Sequence, residues 1–204
     1  MTNIQFITHE NQKFDYIEGT ELALRGGCRW VQLRMKNATD DEFLSVGRRM
    51  AQLCRDYHAT FLLDDRVHLV NELGADGVHV GKNDMPADEA RAILGNDKII
   101  GGTANTFADI RKLAAQGVNY IGCGPYRYTT TKQNLAPLLG LKGYETLLTA
   151  MKEVRIQIPL IAIGGILRDD IPDLLKTGVS GIAISGAVLN AANPEKEMEK
   201  LINI

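Results

Sequence analysis

The chain has no apolar run approaching the roughly 18 residues needed to cross a bilayer. Its first fourteen residues, MTNIQFITHENQKF, lack the basic stretch and apolar core of a secretory leader. These absences lead us to expect a soluble, cytoplasmic protein with no membrane partner. An excess of one charge is also missing: Lys and Arg number 23 against 25 Asp and Glu, a formal net charge of -2. No global field therefore favours nucleic acid, and any recognition of phosphate must come from a local cluster. Cysteine is sparse. Cys28, Cys54 and Cys123 are odd in number, widely spaced and outside any CxxC pattern, which argues against a disulfide framework and fits reduced core thiols. Nothing in the composition resembles a linker, and 204 residues with 45% apolar content can bury one core. A single domain over 1–204 is expected.

What is present is an alternation of short β-rich runs with longer amphipathic ones. The strands read as IQFIT (4–8), WVQLRM (30–35), TFLLD (60–64), GVHVG (77–81), KIIGGT (98–103), YIGCG (120–124), PLIAIG (159–164) and GIAIS (181–185). Helices are expected over 15–25, 39–57, 87–94, 107–115, 143–154, 171–176 and 194–202, with a shorter one over 66–73. In 39–57, Phe43, Leu44, Val46, Met50, Leu53, Cys54 and Tyr57 recur near helical spacing with charge between them. Several helices run into glycine, at Gly26, Gly74, Gly95, Gly117 and Gly178. Eight βα units without a linker predict an α/β fold, a single (β/α)8 TIM barrel, with an open doubly wound sheet as the alternative.

In such a barrel the loops after the strands gather at one rim, where this fold builds its sites. On the second strand Gln32, Arg34 and Lys36 alternate with Val31, Leu33 and Met35, so the polar set shares one face. If the apolar face meets the helices, the polar face points into the barrel, where charge needs a ligand or partner. A solvated edge strand is the competing reading. Asp64 and Asp65 end the third strand and Asp84 follows the fourth. Asp65 and Asp84 could cap the next helix, or converge on Mg²⁺, which takes few protein ligands and shares its shell with diphosphate oxygens. Gly101, Gly102, Thr103 and Asn105 end the fifth strand with little bulk. A long connection, 126–143, supplies Thr129, Thr131 and Lys132, two hydroxyls and a cation that suit phosphate but also occur in ordinary loops. Gly164 and Gly165 end the seventh strand, Ser185 and Gly186 the eighth. The loops at these places commonly receive a phosphate in barrels, although glycine also serves tight turns.

The segments QLRMK, LLDDRV, ADGVHVGKND, GGTANT, GPYRYTTTK, AIGGI and GIAISGA resemble, in order and spacing, the motif series of thiamine phosphate synthases from the second strand to the eighth. The resemblance covers nearly the whole chain. It implies that Gln32, Arg34, Lys36, Asp64, Thr103 and Lys132 hold a pyrimidine diphosphate, with Asp65 and Asp84 on Mg²⁺. Thr129, Thr131, Gly165, Ser185 and Gly186 would hold a thiazole phosphate, and Lys132, Thr103 and Arg34 would be the catalytic groups. The implied chemistry is dissociative: pyrophosphate leaves the pyrimidine methylene, and the thiazole nitrogen captures the resulting cation.

Three positions depart from the family pattern. Asp64 stands where it usually has Asn, and Thr103 with Asn105 where it usually reads SxH. Thr keeps the hydroxyl of Ser, and Asp keeps an acceptor of Asn while adding charge. A thiazole tautomerase, the sister activity, would use a His near the fifth strand, and Asn105 cannot titrate. A silent binder of thiamine precursors is the third reading; it would be expected to lose Lys132 or a metal Asp, and this chain keeps both. Arg34, Lys36 and Lys132 oppose Asp64, Asp65 and Asp84, so a near-neutral site should depend on a divalent ion to hold a polyanion. His9, His58, His68 and His79 show no metal-ligand spacing and receive no role; His79, inside a strand, is read as a satisfied core group. Tyr126 and Tyr128 either cover a ligand or pack on the rim. The partners implied are small molecules, with a homo-oligomer compatible with the sequence.

Overall fold

A computed structural model describes residues 3–128 and 138–204. Thr129, Thr131 and Lys132 lie outside the described residues. The strands β1 (Ile4–Ile7), β2 (Trp30–Leu33), β3 (Thr60–Asp64), β4 (Gly77–Val80), β5 (Ile99–Ala104), β6 (Tyr120–Cys123), β7 (Leu160–Ile163) and β8 (Gly181–Ile184) form a closed parallel barrel in sequence order. Closure is direct: Ile4, Gln5 and Phe6 of β1 pair with Ile182, Ala183 and Ile184 of β8. The open doubly wound sheet is thereby excluded.

The connecting helices are α1 (Tyr16–Arg25), α2 (Asp40–Asp56), α3 (Val70–Leu73), α4 (Ala87–Leu94), α5 (Phe107–Ala115), α6 (Gly140–Glu153), α7 (Ile171–Lys176), α8 (Gly186–Leu189) and α9 (Pro194–Ile202). Their starts follow local chemistry. Thr39 accepts from the Glu42 amide while Glu42 accepts from the Thr39 amide, which satisfies two of the amides a helix start leaves unpaired. Asp15 and Glu18 do the same for α1. Along α2 the buried positions Phe43, Gly47, Met50, Ala51 and Cys54 trace the stripe that packs on the sheet.

Two apolar regions result. The larger lies between barrel and helices and takes Val31, Leu33, Val78, Ile100 and Ile121 from the strands. The smaller fills the barrel with Leu62, Tyr120, Ile161 and Ala183, against which Ile7, Trp30, Ile99 and Ile163 pack. Alternate strand residues thus face opposite ways, and the in-facing residues beyond this plug open at the C-terminal mouth.

Some boundaries differ from the sequence expectation. β2 ends at Leu33 rather than 35, because the Arg34 amide donates to the Thr8 hydroxyl instead of continuing the ladder. α6 begins at Gly140, not 143, with the Leu139 and Gly140 amides tied to the carbonyls of Pro125 and Tyr126. The four-residue α8 was not anticipated, since GAVL is too short to display a period. Among the described residues no helix is long and apolar enough to cross a membrane.

Candidate active site

The most polar part of the mouth is built by β2 and β3. Gln32 is paired in register with Leu62, which puts its side chain beside that of Asp64, two residues on. Gln32 Nε2 donates to Asp64 Oδ1 at 2.7 Å, and Arg34 Nε stands 3.5 Å from Asp64 Oδ2. Gln32 is only 2% exposed, yet its Oε1 has no hydrogen-bond partner among the described residues. A buried orphan acceptor is costly unless a ligand supplies a donor. Burial pushes the Asp64 carboxyl up to about 6; Arg34 pulls it down, while the charges of Asp65 and Asp84 push it further up.

Asp65 turns away from its neighbour through a left-handed backbone, φ 59°, uncommon for a residue with a side chain. Its amide donates to the His79 carbonyl at 2.9 Å, which holds the turn. The carboxylate receives Lys36 Nζ at 3.2 Å and Arg66 Nη1 at 3.1 Å. Arg66 therefore joins the site as a cation the sequence reading passed over; the only available signal was its place directly after two acids. Neither acid caps a helix as the competing reading allowed. Asp84 Oδ2 accepts the Gly81 amide at 2.6 Å and so closes its own loop, while α4 begins after Pro86 without a side-chain cap.

Thr103, on the inner face of β5, ends a buried chain of hydrogen bonds. Gln5 Nε2 donates to the Tyr120 hydroxyl at 3.1 Å, that hydroxyl lies 3.0 Å from His79 Nδ1, and His79 Nε2 lies 2.9 Å from Thr103 Oγ1. Two orders of donors satisfy all three contacts; in the one with hydrogen on Nε2, Tyr120 gives its proton to Nδ1 and Nε2–H donates to Thr103. The Thr103 hydroxyl proton is then left to point at the mouth. Burial pushes the Tyr120 phenol pKa well up, so it remains a donor. Glycine makes room for this chain, since a side chain at Gly101 would overlap the Tyr120 ring and one at Gly122 would press on His79.

Across the mouth, Ser185 follows β8 and its Oγ lies 2.6 Å from His9 Nδ1. Gly164 and Gly165 both have positive φ. A side chain on Gly165 would meet Arg127 Cγ at 2.6 Å and the Tyr128 carbonyl at 2.7 Å, so its smallness serves packing of the β6–α6 segment as well as any ligand. Tyr126 packs on Tyr144, with centroids 6.3 Å apart, whereas Tyr128 is exposed. Asn105 donates to the Gly124 carbonyl and is a structural amide.

The structure thus brings Gln32, Arg34, Lys36, Asp64 and Asp65 into one contiguous cluster that feels the Asp84 charge. Thr103 with its buried supports, and Ser185 with Gly186, occupy other strand ends of the same mouth. Among the described residues no group of three or more His, Cys, Asp or Glu side chains could hold a metal ion.

Comparison with known proteins identifies the family. The family model described as "Thiamine monophosphate synthase" matches residues 4–188. Proteins named thiamine-phosphate synthase from Phocaeicola vulgatus and Bacteroides thetaiotaomicron are each 51% identical to the chain. The first match covers 98% of this chain and 97% of the relative, the second 100% and 98%. A solved structure of a thiamine phosphate pyrophosphorylase from Pyrococcus furiosus superposes with a TM-score of 0.87 at 34% identity, over 99% of this chain and 94% of that one. The chain belongs to the thiamine monophosphate synthase family and is a transferase enzyme of thiamine biosynthesis.

Proposed function

We propose that, as a member of this family, the chain condenses 4-amino-5-hydroxymethyl-2-methylpyrimidine diphosphate with thiazole phosphate, giving thiamine phosphate and pyrophosphate. The observation that carries the assignment is the buried Gln32 Oε1, which has no partner among the described residues, beside Arg34 and Lys36. The pyrimidine bears an amino group that can donate to such an acceptor, and its diphosphate suits the neighbouring cations.

In this reading Gln32 and Asp64 grip the pyrimidine end, while Arg34, Lys36, Lys132 and the Thr103 hydroxyl receive the diphosphate. The bond from methylene carbon to diphosphate oxygen breaks with its electron pair leaving on pyrophosphate, assisted by electron release from the aminopyrimidine. The thiazole nitrogen then gives its lone pair to the methylene. No protein nucleophile is needed; the chain orients the two partners and stabilises charge on the leaving group. Gly165, Ser185 and Gly186, with Thr129 and Thr131 by the family resemblance, hold the thiazole phosphate so that the nitrogen faces the methylene.

Asp65 and Asp84 fit a hard divalent ion, because they are oxygen donors and the described residues offer no complete protein cage. That donor set matches Mg²⁺, which completes its shell with water and ligand phosphate. When bound, Mg²⁺ supplies the positive charge that neutralises the diphosphate as a leaving group. Lys36 and Arg66 both pair with Asp65, which places two cations beside the carboxylate that would hold the ion. The enzyme is proposed to work in the cytoplasm.

The test mixes the purified protein with both substrates and Mg²⁺ and follows thiamine phosphate and pyrophosphate. Equimolar appearance of the two is expected. Binding of both substrates without product would instead indicate a silent binder of thiamine precursors.

A further inference from the structure

His9 stands just beyond β1, and the strand order seats it between β8, which leads into Ser185, and β2, which leads into Arg34. It touches Ser185 Oγ through Nδ1 at 2.6 Å and is half-buried. Burial first, and the Arg34 charge second, hold its pKa below the ordinary histidine value. At neutral pH the ring is therefore uncharged, and what it offers Ser185 is decided by its tautomer.

We propose that His9 is a positioning residue for the phosphate at Ser185: its Nδ1–H donates to Ser185 Oγ and so turns the serine proton toward the bound phosphate. This rests on the assignment of the thiazole phosphate to the Ser185 loop. The physical reason is that a hydroxyl has a single proton. If Ser185 gives that proton to Nδ1, only lone pairs face the phosphate and the contact is repulsive. If Nδ1 carries the proton, Ser185 accepts from His9 and donates a charge-assisted hydrogen bond to the ligand. Occupation by phosphate thus selects the tautomer with hydrogen on Nδ1. Neither His9 nor this pairing is visible in the motif spacing, because the two residues are 176 positions apart.

Steady-state kinetics on the full chain test the idea, with each substrate varied while the other is saturating. His9→Ala is expected to raise KM for thiazole phosphate roughly 3- to 10-fold, the loss associated with one hydrogen bond between neutral groups, since Ser185 keeps its own proton. KM for the pyrimidine diphosphate should move less than about 3-fold, since Arg34 and its partners are untouched. His9→Asn places an amide nitrogen near the position of Nδ1 and should restore most of the affinity, whereas His9→Asp offers only acceptors and should be no better than Ala. Ser185→Ala should raise the same KM, and adding His9→Ala to it should change little more.

If Ser185→Ala weakens thiazole phosphate while His9→Ala does not, or if Asn rescues no better than Asp, the positioning role is wrong. An unchanged KM in Ser185→Ala would overturn the phosphate assignment beneath it. Nitrogen-15 NMR of the His9 ring in the unmodified enzyme gives an answer independent of variant folding. With thiazole phosphate bound, Nδ1 should be the protonated nitrogen; a bare Nδ1 in that complex would refute the inference.

Discussion

Gln32 and Asp64 meet inside the barrel mouth through a hydrogen bond of 2.7 Å that crosses from β2 to β3. The contact commits the Gln32 amide nitrogen to a carboxyl that burial already raises to about 6, and leaves the amide oxygen without a partner among the described residues. Gln32→Leu, similar in size but without the acceptor, should lower kcat/KM for the pyrimidine diphosphate by about 10-fold or more, as loss of a buried polar contact implies. Initial rates at varied pyrimidine diphosphate measure this, and an unchanged value would remove Gln32 from the substrate contacts.

Asp64 also makes stability depend on pH. Its pKa is about 6 in the folded chain against a reference of 3.8, so between those values the native state holds a proton that the unfolded state releases. Stability from this group is complete below about pH 4 and is lost as the pH rises toward 6. Asp64→Asn removes the penalty and should stabilise the metal-free protein at pH 7.5 by up to about 3 kcal/mol. The loss of the Arg34 pairing trims that gain, and the advantage should shrink near pH 4.5. Urea unfolding at the two pH values would show it; an equal difference at both would contradict the role of burial.

Tyr120 is the joint of the buried chain from Gln5 to Thr103. Tyr120→Phe removes the hydroxyl that Gln5 and His79 share, and leaving the buried Gln5 amide unsatisfied typically costs about 1–3 kcal/mol. The urea midpoint should fall accordingly. Activity should fall too, because His79 loses the contact that fixes its tautomer toward Thr103. A variant as stable as the parent would mean the chain of donors is not closed.

Removal of divalent metal should abolish turnover, and added Mg²⁺ should restore it. Asp84→Ala should raise the Mg²⁺ concentration needed for half-maximal rate by about 10-fold or more, the usual scale for disturbing metal-site carboxylates. Its amide contact to Gly81 is lost as well, so thermal melting should accompany the assay. Full activity in excess EDTA with no bound metal would rule the arrangement out.

Lys132→Ala should cripple turnover while circular dichroism and melting temperature stay close to the parent. Collapse of the fold would mean the residue is structural.

Much of this protein can be read along the chain. Strand alternation, the Thr39 and Asp15 capping boxes, and acids and glycines placed after strands are local signals, each set by neighbours within a turn or a pleat. The family resemblance adds proposed roles for residues such as Lys132, which no local physics assigns. Less legible were the ends of elements. β2 stopped early because a side chain just beyond the neighbouring strand β1, that of Thr8, took the Arg34 amide, and α6 started early because the Leu139 and Gly140 amides found the carbonyls of Pro125 and Tyr126 at the start of the same connection.

The sequence by itself determined the repeat of eight strands, the faces they bury and the acids and cations they carry to their ends, because period and capping act at short range. Only the tertiary structure decided that β1 closes on β8, that Arg66 shares Asp65 with Lys36, that Tyr120 links Gln5 to His79, and that His9 meets Ser185. Those contacts depend on strand register and barrel closure, and a register displaced by one residue would turn strand side chains such as Gln5, His79 and Tyr120 to the opposite face.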